Sequence, residues 1–217
     1  MGTKISEYTG NMKGALARLT SGLIFDKASG IGIKVDTTTP TFPWHDIIGS
    51  VSANGNPASQ PSLADYNATG IYQYQFAVGE EIAHVFHMPH DYVPGTDMFI
   101  HAHWSHDEIP TDNFLIWSFK AFYGKRDGVF GSAIQVLASG TAGTTPLVHH
   151  VDEVQFTSAI EAATSFDRND MEVDGLIIVR TELSSNGSGK DPFLHTVDLH
   201  YQSTGIGTKN SADPFYT

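Results

Sequence analysis

The chain has 217 residues, 40% of them hydrophobic and 11% aromatic, which is enough for a sizeable core and too apolar for wholesale disorder. Its 12 basic and 24 acidic residues leave a formal net charge of −12, which excludes nucleic acid and anionic membrane as expected partners. With no cysteine there is no disulfide, no thiolate zinc site and no cysteine nucleophile. Only 17% of residues are charged while Gly (21) and Pro (10) are plentiful, a balance that favours strands and turns over exposed helices. The opening MGTKISEYTG has no apolar secretory core, and no apolar run approaches the roughly 20 residues of a membrane-spanning helix. A soluble protein with no membrane partner is expected.

Residues 11–24, NMKGALARLTSGLI, read as a short helix weakened by Gly14 and Gly22. Residues 30–51 read as an extended arm with a short strand at 31–35 and an anchoring segment, FPWHDII. In that segment Phe42, Trp44, Ile47 and Ile48 are too few to form a core and need another surface to lie on. Residues 1–50 are thus expected to be an arm or anchor, and residues 51–217 a β-sandwich domain. Residues 52–70 are rich in turn formers and read as a surface loop.

From residue 71 the pattern becomes that of strands, expected at 71–78, 81–88, 98–104, 113–123, 129–137, 154–158, 175–183 and 193–202. A corner containing Pro89, Pro94 and Gly95 separates the second and third, and residues 158–164 hint at a short helix. On the second strand Ile82, His84, Phe86 and Met88 share a face. On the third, Met98, Ile100, Ala102 and Trp104 face one way, and Phe99, His101 and His103 the other. About eight strands without βαβ alternation predict an all-β, jelly-roll-like β-sandwich with an extended N-terminal arm.

Six of the eleven histidines lie within residues 81–123: His84, His87, His90, His101, His103 and His106. His84, His87 and His90 are three apart and converge on neither a helix nor a strand. His101 and His103 do share a strand face, about 7 Å apart at the backbone. Gly95, His101, His103 and Glu108 resemble the first cupin motif. In cupins, a jelly-roll family, the two His and the Glu bind a transition metal, so the resemblance implies a metal at these three residues. Leu115 stands where that motif closes on Gly, and no second motif supplies a fourth ligand. By regular alternation His195 and His200 face opposite sides of their strand. The alternative, with no cofactor, is that His101 and His103 are half-buried strand residues bonded to backbone or carboxylate partners.

Neither a G-x-S-x-G elbow nor a phosphate-binding G-x-x-x-x-G-K-[ST] loop occurs. The adjacent acids Glu80-Glu81, Asp107-Glu108 and Asp152-Glu153 point apart on strands, so no enzyme is expected. Several segments resemble virion structural proteins of tailed bacteriophages: GIKVD with PTFPWHDIIG, HMPHDYVPGTD, HAHWSH, HYQSTGIGTK and the closing FYT. The resemblance implies a place in a phage particle, with the major capsid protein or tail proteins as partners. A homotrimeric capsid decoration (cement) protein docking through its N-terminal arm is the leading expectation. Alternatives are a tail or head fibre subunit, a glycan-binding module stacking sugars on Tyr72, Tyr74 and Trp104, or a cupin-like metalloprotein.

Overall fold

Strands that are apolar on one face must bury that face, and two facing sheets achieve this. A computed structural model describes residues 23–26, 32–35, 42–52, 56–156, 166–205 and 207. The chain divides into two compact units, residues 1–43 and 44–217. In the first, β1 (Leu23–Asp26) pairs antiparallel with β2 (Gly32–Val35). Leu23 and Ile24, expected at the end of a helix, belong to β1; residues 11–22 of that helix lie outside the described residues, as does the helix expected at 158–164.

The second unit begins with β3 (Trp44–Ile48), β4 (Ser50–Ser52), β5 (Ser62–Asp65) and β6 (Tyr72–Gln75). It continues with β7 (Glu81–His87), β8 (Met98–Ser105), β9 (Phe114–Gly124), β10 (Ile134–Thr141), β11 (His150–Gln155), β12 (Leu176–Asn186) and β13 (Phe193–Gln202). One sheet has the order β10-β9-β12-β7-β4, the other β11-β8-β13-β6-β5 with β3 also on β13. Within β6 to β13, the sheets read β6-β13-β8-β11 and β7-β12-β9-β10. Every connection along those eight strands changes sheet except the β9–β10 hairpin, which is the double Greek key of a jelly roll. The chain is an all-β sandwich, and β3, β4 and β5 extend its sheets.

The residues up to 50 assigned to the arm therefore include β3, which pairs with β13, and the first residue of β4, which pairs with β7. The expected loop at 52–70 contains the edge strand β5 and two short 3-10 turns, Pro57–Ser59 and Tyr66–Ala68. Strand β10 starts later than its apolar residues suggest: Val129 is exposed and the Phe130 ring lies over Gly124, so both close the hairpin loop. Strand β11 starts earlier, because the inward position at its centre is filled by Asp152 rather than by an apolar residue.

Trp104, Trp117, Phe76, Phe86 and Phe119 are fully buried between the sheets, with Phe76 edge-on to Trp117 at 5.4 Å. Burying each such side chain contributes about 1.5–3 kcal/mol. The corner between β7 and β8 is pinned from outside the strands: Arg168 pairs with Asp97 at 2.9 Å, and buried Tyr92 donates its hydroxyl to the Arg168 carbonyl. Gly95 has φ +79° there and donates its N–H to the same carbonyl, so its place in the chain is explained by the turn.

Candidate metal centre

Residues opposed across antiparallel strands project from the same face. His101 on β8 is opposed by Glu153 on β11 and Asp198 on β13, and all three point away from the core. His101 Nε2 lies 2.8 Å from Glu153 Oε2, and its Nδ1 lies 3.2 Å from Asp198 Oδ1. His103, two residues on, places Nε2 3.0 Å from Asp198 Oδ2 and Nδ1 2.9 Å from His149 Nε2. Asp198 is thus held between two imidazoles, each of which has a further partner on its other nitrogen.

The row continues in both directions. His149 stacks on His103 with centroids 5.1 Å apart and meets His195 at 6.4 Å. His200 meets His101 edge-on at 5.2 Å, and Trp44 closes the end at 4.8 Å from His200. Five histidines from three parts of the chain therefore line one surface. Regular alternation would send His195 and His200 to opposite faces; the structure has both outside. The cause is a β-bulge: Leu194 opposes Trp104 and Thr196 opposes His103, which leaves His195 as an extra residue. Its Nε2 bonds Ser105 Oγ at 2.8 Å, Gln73 Oε1 sits on its Nδ1, and Tyr66 hydroxyl bonds the same Ser105. That chain has the order of a nucleophile relay, but Ser105 is 1% exposed and its hydroxyl is engaged on both sides.

Burial by itself raises the Asp198 carboxyl, and its contacts with His101 and His103 more than reverse this, so it stays ionised well below the ordinary carboxylate range. For His101, burial disfavours the charged ring, yet Asp198 and then Glu153 together raise its pKa. Burial lowers His195, as do the neighbouring His149 and His103. The site is one of concentrated imidazole around a deeply placed anion.

The sequence singled out His101, His103 and Glu108, and the structure brings only the two histidines together. Glu108 is exposed and paired with Lys190, away from both histidines; the carboxylate that reaches them is Asp198. Both histidines do have carboxylate partners, as the structural alternative expected. Of the other histidines in that stretch, His84 is buried on β7, where desolvation lowers its pKa to about 4, and His87 and His90 flank Asp174. Among the described residues, the two groups with converging ligand atoms are His101, His103 and Asp198, and His101, Glu153 and His200. Asp198 and His200 were findable, since they alternate with the apolar Val197, Leu199 and Tyr201 on β13.

Trp104 cannot stack on a sugar, because it is fully buried with its Nε1 donating to Asp152 at 2.8 Å. Tyr72 is exposed, whereas Tyr74 packs partly against the core. Two of the apolar residues of the expected anchor, Trp44 and Ile47, have contacts within their own chain. Ile47 packs on the core, Trp44 lies edge-on to Phe99 at 5.5 Å, Ile48 is exposed, and Phe42 is half-buried. Neither a protein-family model nor a curated protein matches the chain.

Proposed function

We propose that the chain is a non-enzymatic structural protein of a tailed-phage virion, a capsid decoration protein that docks through its N-terminal unit and exposes the jelly roll. The observation that carries this reading is the division at residue 43: a jelly roll with its own core is preceded by a separate compact unit. The segments that resemble phage virion proteins, spread from residue 32 to the C-terminal FYT, support the same location. The major capsid protein is the proposed partner. Self-association as a trimer fits a decoration role, because a closed symmetric contact matches the local symmetry of a shell.

Cryo-electron microscopy of purified particles tests the reading, with jelly-roll density expected on the head; density confined to the tail, or a particle without the chain, overturns the capsid assignment. Deleting residues 1–43 is expected to abolish incorporation while leaving the β-rich circular dichroism intact. The cut is placed before β3, because removing Trp44–Ile48 would also strip a strand from β13.

A further inference from the structure

We propose that His101, His103 and Asp198 bind one divalent transition ion of the zinc class on the outer face of the sheet, with Glu153 and His149 orienting the two imidazoles. This goes beyond the structural role proposed above and does not depend on it.

Four observations carry the assignment. First, the donors sit at ligand spacing: Asp198 oxygens lie 3.0 Å from His103 Nε2 and 3.2 Å from His101 Nδ1, and all three ligand atoms fall within 4.8 Å of one another. Bond lengths of about 2.0–2.1 Å to nitrogen and oxygen place the donors of a tetrahedral ion roughly 3.3 Å apart. Second, Asp198 is 7% exposed, and its Oδ1 has no hydrogen-bond partner despite facing His101 Nδ1. A buried carboxyl oxygen left without a hydrogen-bond partner is costly, and a cation would relieve it.

Third, the outer nitrogens are already in use. His101 Nε2 bonds Glu153, and His103 Nδ1 bonds His149. A carboxylate or other acceptor behind a ligating imidazole fixes its orientation and raises its basicity, which is the usual support of a metal-bound histidine. Fourth, the donors come from adjacent strands in register, so the site exists before the ion arrives. Two imidazoles and one carboxylate suit zinc, iron(II), cobalt or nickel and disfavour calcium and magnesium, which prefer all-oxygen shells. Three protein donors leave at least one position for water or an incoming ligand.

The alternative group of His101, Glu153 and His200 is less suited, because the Glu153 side chain is 52% exposed and its contact with His101 already serves as support. Untagged full-length protein titrated with zinc chloride by calorimetry, and with cobalt(II) followed by its visible spectrum, separates the two. One ion per chain is expected. Asp198→Asn and His103→Ala, each with an unchanged circular dichroism spectrum, are expected to lose more than about 100-fold in affinity, beyond the roughly 10–100-fold cost of losing an outer partner. Glu153→Gln should fall within that outer-partner range, and Glu108→Gln should bind like the parent. His103→Ala keeps the test decisive if Asp198→Asn does not fold. Absence of stoichiometric binding overturns the proposal. So does binding that survives His103→Ala or Asp198→Asn, or binding that depends on Glu153 and not on Asp198.

Discussion

Two aspartates flank strand β8, Asp152 from β11 and Asp198 from β13, and they are almost equally buried at 6% and 7% exposure. Asp152 points into the sandwich and has one hydrogen bond, from Trp104 Nε1, so burial raises its pKa to about 6. Asp198 points out of the same sheet into two imidazoles and stays ionised far below that. Depth alone does not set the charge of a carboxylate; what it faces does. The inner surface of this sheet tolerates one acid at a cost, whereas the outer surface is built to hold an anion and attract a cation.

The largest way to break the contrast is Trp104→Ala. It opens a cavity in the inner layer and strips Asp152 of its donor, and it should cost about 3–5 kcal/mol in guanidinium unfolding. Next, Asp152→Asn should stabilise the protein above pH 6. The Asp152 carboxyl titrates at 3.8 when unfolded and at about 6 when folded. Its protonated form therefore favours the fold fully below pH 3.8, and that advantage is lost as pH rises through about 6. The neutral variant escapes the loss, so urea unfolding should show a gain of up to about 3 kcal/mol at pH 8 that closes near pH 4.

A smaller effect is expected at Gly140, where an added Cβ would overlap the Asp152 carboxylate. Gly140→Ala should cost about 1–3 kcal/mol in thermal unfolding, and less in an Asp152→Ala background. At the bottom of the scale, Glu108→Gln breaks an exposed pair with Lys190 and should change stability by less than about 1 kcal/mol. A large effect there would mean that the outer site extends into the β8–β9 turn.

The period of two along β8 made its inner and outer residues readable, and the same alternation gave the sandwich and most of its strands. What escaped is what alternation does not encode. Asp198 lies 95 residues from His103 and meets it only through the pairing of β8 with β13, so local spacing pointed to Glu108 instead. Strand β11 was blurred because its inward position carries an acid, and β5 because a four-residue edge strand of mostly exposed side chains resembles a loop. Trp104 looked like a candidate sugar platform only while its alternation with Ile100 and Ala102 was set aside.

The bulge at His195 also bears on how this surface tolerates changes in chain length. Phe193 and Leu194 oppose Ser105 and Trp104, and Thr196 resumes at His103, so the partner strand skips nothing. Loss of the single codon for His195 would therefore splice two correctly phased ladder segments, keeping Leu194 and Val197 inside and Asp198 and His200 outside. A one-residue deletion anywhere from Val197 to Tyr201 would instead invert the facing of its neighbours. Homologous chains one residue shorter in β13 are expected to lack the counterpart of His195 and to keep the His101, His103 and Asp198 set.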